Sequence, residues 1–195
     1  LLGRLKKATG DQVTSFEYIQ RNPLDAVFAH IPNTQDPMQE KYEHYALIEM
    51  ASGQEGVIRD LAETALGEAF EAGEIIDAVL AESGDQAAKL WNLRESIPEA
   101  LKHCGPSAKH DISVPVSKVP EFLKKADPHV QAAIPGCTIM AFGHMGDGNL
   151  HYNLVMPKET TPEDAERLRH DVPPGVHDIA DSLGGSARMS IPNPN

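Results

Sequence analysis

Asp147-Gly148 stands between two strand-like runs, 137–142 and 149–156, and after it the chain alternates without a break. Asn149, His151 and Asn153 fall on one face; Leu150, Tyr152 and Leu154 fall on the other. Asp-Gly is a strong hairpin signal, because both residues tolerate the positive φ of a tight turn. The pattern commits this part of the chain to an antiparallel pair with one apolar and one polar face.

The polar face carries the chemistry. If the turn centres on Asp147-Gly148, His144 faces His151 directly. With a four-residue loop, His144 faces Asn149 and lies diagonal to His151. Either register puts both imidazoles on one face within roughly 5 to 8 Å at Cβ, close enough to reach one metal ion. A solvated hairpin face ordinarily carries Lys, Glu and Thr. Here the positions are Asn, His and Asn beside Gly143, Gly146 and Gly148. Glycines let a ligand or a second backbone approach closely. A wet surface and a site wall both remain open, and the residue types favour the wall.

Elsewhere, periodicity marks strands over 13–19, 44–51, 75–82 and 109–115. Helices are expected over 24–30, with Asn22 as cap and Pro23 at the first position, and over 56–73, 85–102 and 117–133 with Ser117 as cap. A last helical region, 161–183, is weakened by Pro173-Pro174. No G-x-G-x-x-G follows the first strand and there is no P-loop, which argues against a nucleotide-binding doubly wound sheet. The order fits an α+β fold: split β-α-β (ferredoxin-like) units sharing one antiparallel sheet, with helices packed on one side. One domain is expected over 1–183, with 184–195 as a turn-rich, disordered tail.

The 195 residues are 41% hydrophobic and 24% charged, with a net charge of −12. That charge argues against nucleic acid and anionic membrane surfaces as partners, but not against an anionic substrate held by a few local cations. Cys104 and Cys137 have neither zinc-ribbon nor disulfide-framework spacing, so a reducing, cytoplasmic setting is expected. No signal peptide or 18-residue apolar run is present. A start at Leu1 rather than Met suggests a piece of a longer chain.

Two cations stand out. Arg94 falls within the apolar stripe of Leu90, Ile97 and Leu101, where it either snorkels outward or forks onto a carboxylate in a pocket. Lys109 opens the alternating strand 109–115, sharing a face with Asp111 and Ser113. The remaining histidines lack ligand spacing, and no nucleophile motif is present.

Three segments occur in order: LWNLRESIPEAL, KHDISVPVSKVPEFL and GHMGDGNLHYN. Together they resemble the C-terminal domain of FAD-linked oxidases and dehydrogenases of the D-2-hydroxy acid type (hydroxyglutarate, lactate or glycolate class). The similarity covers nearly the whole chain, and the GH-x-GDGN-x-H motif is its most specific part. The resemblance implies a small 2-hydroxy carboxylate as substrate and an FAD-binding domain in the full-length protein, and it is compatible with a homodimer. It assigns His144 and His151 to a divalent metal, commonly zinc, as Lewis acid. It assigns Arg94, Lys109 and Asn153 to the substrate, and Asn149 to the cofactor side. Hydride from C2 would pass to the flavin, giving a 2-oxo acid.

Two departures limit the transfer. Members carry a Glu-His pair shortly after Gly-Gly-Ser, the Glu completing the metal site and the His serving as base. Here ARMSIPNPN follows Ser186, with neither residue. The FAD-binding domain is also absent, so this chain alone is expected to be inactive and to hold zinc weakly. Pro98 stands where hydroxyglutarate-type members tend to have a hydroxyl residue. The competing expectation is a non-catalytic ferredoxin-like module binding a small anion or partner chain, in which Arg94 and Lys109 do not converge with His151.

Overall fold

The hairpin at Asp147-Gly148 lies at the centre of a six-stranded sheet, seen in a computed structural model that describes residues 1–53 and 56–190. The strands are β1 (Val13–Gln20), β2 (His44–Met50), β3 (Ser107–Ser113), β4 (Thr138–His144), β5 (Asn149–Val155) and β6 (Ser186–Ser190). Their spatial order is β2-β1-β4-β5-β3-β6, and every neighbouring pair is antiparallel. The helices are α1 (Leu2–Thr9), α2 (Arg21–His30), α3 (Val57–Glu71), α4 (Gly84–Glu95), α5 (Ile97–Leu101), α6 (Val119–Ala133), α7 (Pro162–Asp171) and α8 (Pro173–Ser182). Strands β3 and β4 flank β5 and are joined through α6, while β5 and β6 flank β3 and are joined through α7 and α8. Each β-α-β connection is thus split by a strand of the other.

The mixed α+β class and the antiparallel sheet are as expected, but helices cover both faces rather than one. Ala141, Leu150, Tyr152 and Leu154 pack against α6 and α8. Ile19, Met140 and Phe142, on the opposite face, pack against α2, α4 and α5. The cause is visible in β1 and β4, whose central residues are buried on both sides. A strand apolar on both faces must be covered on both. Two polar contacts fix the layers. Asn22 Nδ2 donates to the Ile139 carbonyl at 2.9 Å, tying α2 to β4 instead of capping its own helix. Tyr152 donates to Asp127 of α6 at 2.7 Å, and burial raises the pKa of the Asp127 carboxyl.

Several expectations are corrected. Segment 75–82 forms no strand: it is irregular and mostly exposed, with Ile76 73% exposed, and it belongs to no strand of the sheet. The expected helix 85–102 breaks at Ser96 into α4 and α5, because Pro98 cannot donate the next helical hydrogen bond. Ser117 is not a cap but the middle of a 3-10 turn, Val116–Lys118, that leads into α6. The residues 186–190, assigned to a disordered tail, form β6 and complete the second split unit; 191–195 lie outside the described residues. Helix α1, not expected at all, buries Leu5 fully against Phe16 and Ala65. No helix among the described residues is long and apolar enough to cross a membrane.

Candidate active site

One row of side chains crosses the sheet on the face that α2, α4 and α5 half cover: Tyr45, Ile19, Phe142, His151, Asp111 and Arg188, each opposite the next. On one side of it, Glu17 stands opposite His144 and Ser113 opposite Asn149. On the other, Asn153 lies between Met140 and Lys109. Phe142 is buried beneath the helices, whereas Asn149, His151 and Asp111 are exposed. The site is therefore the edge where the helical layer stops and the polar half of the sheet face opens.

The turn adopts the four-residue register. Phe142 pairs with His151, and residues 145–148 form the loop, which places His144 towards Asn149 and diagonal to His151. Gly143 and Gly148 allow close backbone approach, whereas Gly146 faces open space. A Cβ on Gly148, whose φ is +77°, would lie 1.9 Å from the Val114 carbonyl oxygen, and one on Gly143 would lie 2.5 Å from that of Asn149. Asp147 stabilises the loop by accepting from the Asn149 N–H at 3.1 Å.

Arg94 projects from the last turn of α4 and points into this face instead of snorkelling outward. Its side chain is 13% exposed, its Nε donates to Glu17 Oε2 at 2.6 Å, and its guanidinium lies 4.9 Å over the Phe142 ring. The other oxygen of Glu17 meets His144 Nδ1. His151 Nδ1 meets Asp111 Oδ1 at 2.7 Å, and its ring centroid is 5.1 Å from that of Phe142. Arg94, Phe142 and His151 thus form a continuous contact chain. Lys109 and Asn153 enter it by register, and Asn153 is buried at 6% exposure.

Asn149 sits exposed at the start of β5, on the same face. The six sequence-derived candidates, Arg94, Lys109, His144, Asn149, His151 and Asn153, are therefore gathered on one side of the sheet. Glu17, Phe142 and Arg188 were not anticipated. Strict alternation back from His144 could have found Phe142. Arg188 follows only once 186–190 is known to be a strand.

The donor set does not fit the expected zinc site. Catalytic zinc takes three protein ligands, and among the described residues no group of three or more His, Cys, Asp or Glu could hold a metal ion. Each imidazole meets a carboxylate through Nδ1, which leaves Nε2 as its one ligating atom, and none of residues 187–195 is acidic.

Residues 2–188 match the family described as FAD linked oxidases, C-terminal domain, and the chain belongs to that family. Among curated relatives, the D-2-hydroxyglutarate dehydrogenase of Stutzerimonas stutzeri is 38% identical over 148 residues, covering 74% of this chain and 31% of that protein. That of Xanthomonas citri pv. viticola is 37% identical over 153 residues, covering 78% and 32%. The mitochondrial D-2-hydroxyglutarate dehydrogenase of Arabidopsis thaliana is 32% identical over 154 residues, covering 79% and 27%. The chain spans about a third of the length of these relatives.

Proposed function

We propose that this domain supplies the substrate-side wall of an FAD-dependent oxidoreductase converting a D-2-hydroxy acid to its 2-oxo acid. The observation that carries this reading is the gathering of Arg94, Lys109, Asn153 and the Asp111-held imidazole of His151 on one open sheet face.

Arg94 uses Nε for Glu17, which leaves Nη1 and Nη2 to fork onto the substrate carboxylate. Lys109 adds positive charge, and Asn153 offers an amide to the hydroxyl or the carboxylate. Asp111 holds His151 through Nδ1, so Nε2 is presented to accept the hydroxyl proton as the C2 hydride leaves. A flavin held by a separate domain would supply the hydride acceptor. Asn149, exposed at the start of β5, would face the flavin.

D-2-hydroxyglutarate is the first substrate to test, because the relatives carry that name. Pro98, one turn beyond Arg94, offers no hydroxyl there and weakens the case for that particular acid. In the FAD-loaded full-length protein, D-2-hydroxyglutarate, D-lactate or glycolate should bleach the flavin absorbance, while L-enantiomers should not. If dithionite bleaches the flavin but none of these acids does, the reading is wrong.

A further inference from the structure

Glu17 is 1% exposed and lies in β1, between β2 and β4. Its two oxygens serve two different partners. Oε2 accepts from Arg94 Nε, 77 residues away in sequence, and Oε1 meets His144 Nδ1 directly across the β1–β4 pair. Ser15 Oγ donates to Oε1 at 3.4 Å.

We infer that Glu17 is a positioning residue that sets the presentation of both Arg94 and His144 to the open face. This rests on the reading of that face as the substrate site. A carboxylate already held by an arginine accepts and does not donate, so His144 must carry a proton on Nδ1, and the neutral imidazole presents its Nε2 lone pair outward. The same carboxylate takes Arg94 by its inner nitrogen. With Cζ 4.9 Å from the Phe142 ring centroid and Nε on Glu17, the Nη1–Nη2 edge is left for a ligand. Neither of those nitrogens is a buried donor without a partner. A purely structural role fits less well, since a buried ion pair seldom adds more stability than a well-packed apolar pair. One carboxylate thus orients two groups that come from a helix and from a neighbouring strand.

The isosteric variant Glu17→Gln discriminates. Glutamine has one acceptor oxygen; Arg94 Nε–H captures it, and the amide NH2 then faces His144 Nδ1. The imidazole must respond by moving its proton to Nε2. Long-range 1H–15N NMR of the unaltered protein should show His144 as the Nδ1–H tautomer and a slowly exchanging Arg94 Nε–H. Glu17→Gln should switch His144 to Nε2–H, and Glu17→Asp should retain Nδ1–H. Affinity for the D-2-hydroxy acid should fall about tenfold in Glu17→Gln, and Lys109→Ala should weaken binding without moving the tautomer.

An unaltered protein without the Nδ1–H form, or an unchanged His144 in a folded Glu17→Gln, overturns the inference. If the tautomer switches but no D-2-hydroxy acid binds any variant, Glu17 still positions the two groups and only the substrate reading falls. Should Glu17→Gln fail to fold, the tautomer and the Arg94 Nε–H of the unaltered protein decide alone.

Discussion

The Arg94 guanidinium lies 4.9 Å over the ring of Phe142, with its Nε bonded to a carboxylate that is 1% exposed. Removing the cation therefore strands a buried charge whose other partner, His144, is 60% exposed. Arg94→Leu should lower stability by roughly 3 kcal/mol, read from denaturant unfolding at neutral pH. A loss below about 1 kcal/mol, the size of a surface pair, would show that Glu17 finds other solvation.

Phe142→Leu separates stacking from charge pairing. Leucine fills much of the same volume under α4 and α5, so the sheet face stays packed. The ring that supports the guanidinium is gone, and with it about 0.5 to 2 kcal/mol of cation–π attraction. Carboxylate binding should weaken several-fold, measured by calorimetry, with the Arg94–Glu17 contact retained.

Gly148 cannot carry a side chain. Its φ of +77° disfavours any other residue, and a Cβ would fall 1.9 Å from the Val114 carbonyl oxygen, which is backbone and cannot step aside. The Gly148 carbonyl in turn accepts from the Val114 N–H at 3.1 Å. Gly148→Ala should cost roughly 2 kcal/mol or more and shift the amide signals of Asn149 and Val114. A variant as stable as the parent would mean that the hairpin tip readily moves away from 114–116.

The hairpin was legible because Asp-Gly and strict alternation are local signals, and the shared face followed from period two alone. Register was not local. The four-residue loop follows from the Val114 contact and from the Gly146 N–H donating to the Phe16 carbonyl, the first supplied from just beyond β3 and the second from β1. Segment 75–82 misled because IIDAVLAE has strand composition, yet a strand exists only where a partner offers its edge. Ser186–Ser190 misled in the opposite way. SARMS has weak strand character, but β3 presents an open edge that it fills. Glu17 was invisible for a related reason: a glutamate within an apolar strand reads as an exception until the arginine that neutralises it is located.

Zinc content follows from the donor set. Two imidazoles on neighbouring strands, each able to ligate through Nε2 but with no third ligand among the described residues, bind zinc weakly. Purified protein dialysed without chelator should hold well under one zinc per chain by elemental analysis. Substituting both His144 and His151 by Ala should leave that value unchanged. One tightly held equivalent, lost in the double variant, would overturn this.

His110 sits on the opposite face from the site, completely buried, with Nδ1 3.3 Å from His177 Nε2 and its own Nε2 without a partner. Burial, reinforced by His177 and opposed by Asp111, pushes its pKa down to about 4. The unfolded chain takes up this proton near pH 6.5, and the native state refuses it until about pH 4. Stability from His110 is therefore complete above about pH 6.5 and is lost as pH falls towards 4. Between pH 7 and 5 the loss should be roughly 2 kcal/mol, in a window above the range where ordinary carboxylates titrate. His110→Phe keeps an aromatic ring beside His177 and removes the titrating group, so its stability should be flat over that interval. Denaturant unfolding of both proteins at the two pH values gives the comparison. Equal slopes would mean that His110 takes up its proton in the native state as readily as in the unfolded chain.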